Sequence, residues 1–390
     1  MRSFPAKFSG IALLALTTMP SMAQTSVTLY GVADDALAIS SNQGGHANYY
    51  TRSGNLAASR FGLRGAETLG AHTKAIFDLQ EGFDINSGKQ SNAGVMFNRQ
   101  AFVGLQDQRY GTLTMGRQYT AYYQMLGAYG PVSMLTGATG AHPGDLDGLD
   151  TTIRFSNSVM YTTPDFGGFT AAAQYGFGEI AGKTQAGSSI SAAARYIRGP
   201  LALGVGYLRM YNTGKTTNQD PTASGSYGAS SVTNGFLSAS AVQHIAAIGT
   251  YQIGKATVGL NYSNVQFKAG GNALFTNTAV FNTYGIIGKY ELTPQFDVAG
   301  GYSYTRASSS NGISDSARYH QVSLKQAYHF SKRTTLYVLE AYQHASGKTL
   351  GVRGAGDVVN ATATVGDSQN ANPSSGATQF VGMVGISHNF

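Results

Sequence analysis

Three carboxylates lie within six residues in Asp145-Leu-Asp-Gly-Leu-Asp150, just after Pro143 and Gly144. Acidic side chains spaced this way in a Gly-rich run can begin an oxygen cage for a hard cation. A helix-flanked calcium loop also needs an acidic or Asn ligand two residues after the second carboxylate and a bidentate Glu at position twelve. Leu149 and Ser156 occupy those places. The run therefore reads as carboxylates facing opposite charges elsewhere, as a weaker cation site, or as a solvated loop. Other reactive groups are sparse. The 8 His never form an i, i+4 pair, the spacing that puts two imidazoles on one helix face. Cys is absent, and Ser224 and Ser226 lie in a Gly/Ser loop rather than in a Gly-x-Ser-x-Gly elbow. Neither an enzyme nor a cofactor is called for. Arginines remain. Arg60 and Arg64 share one face of an extended stretch whose other face carries Phe61 and Leu63.

The ends of the chain say what positions these groups. Arg2 and Lys7, the apolar run Ile11-Ala-Leu-Leu-Ala-Leu16 and the small residues Ser21-Met-Ala23 make a secretory signal. Cleavage after Ala23 leaves one domain, residues 24–390, and removing Arg2 and Lys7 takes the formal charge from +7 to +5. The apolar run is too short to span a bilayer as a helix, and no later run reaches the roughly 18 residues required. At the other end, Phe380, Gly382, Val384, Ile386, His388 and Phe390 alternate with Met383, Gly385, Ser387 and Asn389. Period two means a strand, and it finishes on an aromatic at the last position.

Composition agrees with a wall that has lipid on one face and water on the other. Charged residues are 12%, about half the roughly 25% of soluble domains. Mean hydropathy is nevertheless only −0.13. Tyr and Phe number 24 and 19, enough for aromatic girdles at both interfaces. Tight turns are written at Leu69-Gly-Ala71, Arg109-Tyr-Gly111, Pro164 to Gly168, Arg198-Gly-Pro200, Ile253-Gly-Lys255, Thr293-Pro-Gln295 and Ser331-Lys-Arg333. Long Gly/Ser/Asn/Thr-rich loops fall near 41–56, 84–95, 120–152, 181–188, 213–239, 268–279, 307–316 and 346–376. Seven turns and eight loops join sixteen strands, with no helical periodicity between them. An Arg or Lys in mid-bilayer on the lipid face costs about 2–4 kcal/mol. Strand charges, Glu340 among them, are therefore expected to face a wet lumen. The expected fold is all-β, a 16-stranded antiparallel transmembrane β-barrel.

Several stretches resemble one family, the general diffusion porins of Gram-negative bacteria in their β-proteobacterial form. They are Ser26 to Val32, Ser59 to Glu67, Phe97 to Leu105, Tyr110 to Gln118, Asn157 to Gly168 and Val384 to Phe390, spread in order over the mature chain. The resemblance implies a homotrimer in the outer membrane, amid lipid and lipopolysaccharide, with a third loop folded into each barrel. It implies passive diffusion of ions and small hydrophilic solutes, with no nucleic-acid partner. It places Arg60, Arg99, Arg117 and Arg154 on the wall of the constriction, extended by Arg64, facing Asp145, Asp147 and Asp150. Arg99 is the uncertain member by parity, since Phe97, Ala101, Val103 and Leu105 share its face. The resemblance also makes Phe390 the signal read by the outer-membrane insertion machinery, on a strand that closes near Val27 to Val32. Four arginines against three aspartates predict weak anion preference. The rival expectation is a substrate-preferring channel with a specific solute site.

Overall fold

The computed structural model describes residues 26–214, 222–227, 229–367 and 373–390; the expected export signal, residues 1–23, lies outside the described residues. The strands begin with β1 (Ser26–Gln43), β2 (His46–Ser53), β3 (Arg60–Thr68), β4 (Thr73–Gly82), β5 (Gln100–Asp107) and β6 (Gly111–Tyr119). A short helix, α1 (Ala121–Leu126), precedes β7 (Arg154–Thr162), β8 (Phe169–Gly176), β9 (Ser189–Arg198) and β10 (Leu201–Tyr211). Then come β11 (Ala241–Ile253), β12 (Ala256–Lys268), β13 (Ala279–Thr293), β14 (Phe296–Ala307), β15 (Arg318–His329) and β16 (Thr334–Ser346). A loop hairpin, β17 (Lys348–Leu350) with β18 (Val358–Asn360), leads to the last strand, β19 (Thr378–Asn389).

Chain neighbours pair antiparallel all the way round, and β19 returns to β1. The result is a closed sixteen-stranded barrel, because β2 and β3 are two halves of one stave. Asp35 to Gln43 of β1 pair with β2, and Ser26 to Val32 with β3. Between the halves, residues 54–59 leave the wall. The seam lies higher than the sequence suggested: β19 pairs with Val32 to Ser40 rather than with Val27 to Val32.

All seven tight turns fall where their residues predict. In the two-residue link between β9 and β10, Gly199 takes φ +56°, open to it because it lacks a Cβ. The first expected loop is mostly strand, since the β1–β2 hairpin runs on to Gly44-Gly45.

Side chains alternate as a wall in lipid requires. Leu203, Val205, Leu260, Ile286, Val322, Leu324, Val384 and Ile386 stand exposed on the outside. Gln174, Ser191, Ser263, Thr283, Gln321 and Gln343 are buried within. So much contiguous apolar surface would be a liability in water, and a bilayer covers it. The expected charge rule fails on several strands: Arg209 of β10 and Arg306 of β14 share the outward parity near their loop ends, and β16 breaks the rule in mid-strand. On β16, Tyr337 and Leu339 turn inward and Glu340 faces outward beside Gly382. The inner face there is claimed by Asp34, whose carboxylate takes the Tyr337 hydroxyl at 2.8 Å.

The third loop enters the barrel. Thr120 caps α1 by accepting the Tyr123 amide at 3.0 Å. Tyr122 and Leu126 then pack on the inner face of β10, where Gly206 leaves room: a Cβ there would stand 2.7 Å from the Tyr122 ring. Further along, Leu135 packs on Ile287 and Ala299 of the far wall. The Ala138 amide donates to Asn55 O at 2.9 Å, and Gln321 Nε2 to Ala141 O at 2.8 Å. The loop is thus fastened on several sides of the lumen.

Candidate channel constriction

Between the third loop and the wall of β3 to β6 lies a cavity of about 560 Å³. The loop contributes Tyr123, Val132, Ser133, Ala138 and Asp150 to its lining, and the wall contributes Arg60, Gln80, Arg99 and Tyr119. The inward segment 54–59 forms a further side. Two backbone amides hold that segment on the buried Asp34 carboxylate, Asn55 N at 2.7 Å and Ala57 N at 3.1 Å.

Three guanidiniums gather at Tyr119. Arg154, its cross-strand partner, lies 5.1 Å from the ring centroid, and Arg99 lies 5.7 Å from it. Cation–π attraction holds both without spending a carboxylate. Arg99 Nε also donates to Gln80 Oε1 at 3.1 Å. Arg60 Nη1 donates to Ala58 O at 2.8 Å. Among the described residues no carboxylate lies within ion-pairing distance of Arg60, Arg99 or Arg154. Arg99 escapes its apolar parity because it precedes β5. Its amide donates to Gln80 O although Gln100 is the ladder partner of Gln80, so two consecutive residues oppose one, as in a bulge.

The other expected members sit elsewhere. Arg117 donates to Asn98 O at 2.7 Å and Ser156 Oγ at 2.6 Å, beside an irregularity at Gly116 where φ is +129°. It braces β6 against β7 and does not line the cavity. Arg64 lies nearer the tight-turn end, 5.0 Å from the Tyr30 ring and opposite Asp78, which accepts the Tyr30 hydroxyl at 2.6 Å.

The aspartate run divides. Asp147 is buried against the wall, bonded to His142 Nδ1 at 2.6 Å and Ser263 Oγ at 2.6 Å. Its backbone carbonyl accepts the Tyr122 hydroxyl at 3.0 Å and meets His244 Nδ1 at 2.9 Å. Burial alone would raise its pKa, but His142, Ser263 and His244 outweigh that and hold it below the usual range. Asp145 is also buried. It accepts the Asp150 amide at 3.0 Å and the Thr152 hydroxyl. Burial first, then the nearby Asp150 and Asp147, push its carboxyl well up. Only Asp150 of the three lines the cavity. The carboxylates therefore do not converge as a cation cage, and two of them fasten the loop rather than face the arginines.

The profile of the Gram-negative porin family matches residues 10–349. The chain belongs to the Gram-negative porins. An outer membrane porin of Delftia acidovorans is 28% identical over 368 residues, covering 90% of this chain and 93% of that one. An outer membrane porin of Bordetella pertussis is 31% identical over 221 residues, half of this chain and 57% of that relative's length. Among solved structures, an anion-selective porin from Comamonas acidovorans superposes with a TM-score of 0.70 at 25% identity, covering 94% of this chain and all of that one.

In this porin the last residue completes the seam. Phe390 exchanges backbone hydrogen bonds of 3.0 Å with Gly31, and its ring lies where a Gly31 side chain would stand, 2.3 Å from the Cβ position. Arg52, Asp84 and Asp367 also line the cavity, and sequence reasoning missed them. Arg52 and Asp84 flank the break in the second stave, for which a strict period-two reading has no place. A positive φ of +77° at Gly54 marks where that stave ends.

Proposed function

We propose that this outer-membrane porin is a homotrimeric, water-filled diffusion channel with a weak preference for anions. Ions and small hydrophilic solutes pass without chemistry and without a cofactor. The observation that carries the selectivity is the group of Arg60, Arg99 and Arg154 around Tyr119, none with a carboxylate within ion-pairing distance among the described residues, while Asp84, Asp150 and Asp367 line the same cavity farther from them. Guanidinium keeps its charge at working pH, and a local cluster of one sign inside a cleft concentrates the opposite ion beside it. The similar Comamonas protein, itself anion-selective, supports the same sign.

Trimer formation is supported by the outer wall. Leu37, Ile39, Tyr49, Val338, Phe380 and Val384 line a depression of about 750 Å³ where Glu340 stands beside the notch of Gly382. A carboxylate facing lipid is costly, and another copy of the chain would cover it. Phe390 would serve as the anchor read during insertion. Single-channel recording in planar bilayers tests the channel, and zero-current potentials in a salt gradient test the sign. The second reading, a channel with a solute site, draws on Tyr119 and Tyr123, whose rings lie 5.3 Å apart at the cavity. Liposome swelling over graded solutes separates them: a smooth decline with size fits diffusion, and one solute far above the curve fits a site.

A further inference from the structure

We propose that the cavity beside the third loop holds short zwitterionic peptides in transit, carboxylate toward Arg60 and Arg99 and ammonium toward Asp84 and Asp367. This rests on the reading of the protein as an open channel and names a solute class for it. The two ends of the cavity carry opposite charge. At the inner end Arg60 and Arg99 each make one side-chain hydrogen bond, to Ala58 O and Gln80 Oε1. Arg99 lines the cavity although it is buried, and its terminal nitrogens have no protein acceptor among the described residues. A guanidinium fork takes a carboxylate by two oxygens at once.

The outer end is acidic on balance. Asp84 and Asp367 both line the cavity, and both act on the one guanidinium of Arg52. Two carboxylates sharing one cation leave net negative charge there. Asp84 follows the end of β4, and the Ser87 hydroxyl at 2.7 Å with the Asn86 amide at 2.9 Å holds its carboxyl below the usual range. Asp367 belongs to the eighth loop, whose segment 361–367 is tied to the inner wall. The Thr364 amide donates to Gln343 Oε1 at 2.7 Å, and the Val365 amide to Gln379 Oε1 at 2.8 Å. Next to Asp367, Gly366 O accepts the Gly144 amide at 2.9 Å. Two strands and the third loop thus set this carboxylate in place. Acids at the outer end repel the simple anion that the inner arginines attract, so the two poles together suit a molecule that carries both charges.

Cross-strand register gives their spacing. Arg52, which marks the acidic end, lies opposite Ala36 of β1, and Arg60 lies opposite Val32. Those positions are about 13 Å apart along the strand. Asp84 stands two residues beyond Gly82, the partner of Arg60 on β4, which is about 7 Å. An extended dipeptide spans about 7 Å and a tripeptide about 10 Å. A free amino acid holds both charges on one Cα and cannot reach both poles. Between the poles Ser53, Asn86 and Ser91 offer neutral hydrogen-bonding groups to a peptide unit.

Single-channel recording of the intact porin in planar bilayers tests the site with three probes: dialanine, N-acetyl-dialanine and alanine. Dialanine should interrupt the ionic current at a concentration about fivefold lower than the acetylated form, which lacks the ammonium, and than alanine, which is too short. Asp84→Asn with Asp367→Asn should abolish the preference for dialanine over its acetylated form. Asp84→Asn alone, at a carboxylate outside the strands, should reduce that preference and keeps the test decisive if the double variant fails to fold. Arg60→Gln with Arg99→Gln should weaken block by both peptides. Equal block by the two peptides in the unaltered protein, or an unchanged preference in the folded Asp84 variant, overturns the proposal. So does stronger block by the acetylated peptide, which would make the cavity a site for anions alone. Conductance and zero-current potential are also read without solute. A conducting, anion-preferring channel that ignores the ammonium refutes this site alone, whereas a protein that does not conduct refutes the channel reading.

Discussion

Replacing Arg60 and Arg99 together by Gln tests whether the arginine group sets ion preference. Both line the cavity, and both make hydrogen bonds to neutral oxygens, Ala58 O and Gln80 Oε1. The exchange therefore strips charge without orphaning a buried carboxylate. At about 5 Å, a unit charge is worth about 0.8 kcal/mol at the dielectric of water and about 3 kcal/mol at an effective value near 20. At 0.1 M salt the Debye length of about 10 Å removes roughly 40% of that. What is left, about 0.5–2 kcal/mol per arginine, corresponds to a factor of about 2–30 in the local concentration of anions. The watery end of the range suits an open lumen, so the double variant should lose anion enrichment by about fivefold. Zero-current potential across a tenfold salt gradient reads this directly. Near 1 M, where the Debye length is about 3 Å, the two proteins should nearly coincide. A clearly cation-selective unaltered channel at 0.1 M, or a folded double variant with unchanged potential, would refute the reasoning.

Asp147→Asn loosens the tie between loop and wall by weakening the buried carboxylate's hydrogen bonds to His142 and Ser263, worth about 1.5–3 kcal/mol each to a charged group; larger, noisier single-channel currents should follow, with the barrel's resistance to heat retained. Gly206→Val drives a side chain into Tyr122, an overpacking worth about 1–3 kcal/mol, and should make the third loop accessible to added protease; continued protection would show that α1 is not seated by β10. For Asp145, whose folded pKa is raised, the folded loop binds more protons than the released one above the ordinary carboxyl value. Loop docking should therefore weaken as pH rises from about 4 toward its folded pKa, and Asp145→Asn should flatten that trend in conductance noise. Deleting Phe390 removes its paired bonds to Gly31 and should cut the yield of heat-resistant trimer in the outer membrane; normal yield would deny it an assembly role.

The staves and turns were legible because each is local. A two-residue period and a Gly or Pro at a turn need no knowledge of the rest of the chain. Arg60 and Arg64 were readable for the same reason, lying on a regular strand. Where regularity fails, parity fails with it. Arg99 stands one residue before β5 at a bulge, and Arg117 stands at the irregular stretch after Gly116. Asp145 and Asp147 look like lumen charges by type, but whether a loop carboxylate faces water or wall depends on distant partners such as His244 and Ser263. Glu340 faces outward because Asp34, 306 positions earlier in the chain, engages the neighbouring Tyr337 on the inner face. No window around β16 contains that information.

The break in the second stave ties the width of the passage to the order in which the chain is assembled. Residues 54–59 project inward because Asp34 holds them, and Asp34 also needs Tyr337, which arrives only with β16. The Asn55 carbonyl in turn anchors the third loop at Ala138. A cylinder still open between its first and last strands lacks that partner, so its narrow passage cannot yet be in final form. Bore width is therefore a late product of biogenesis. A barrel whose seam is forced apart should be leaky as well as unstable, betraying incomplete closure through its current before it is lost from the membrane.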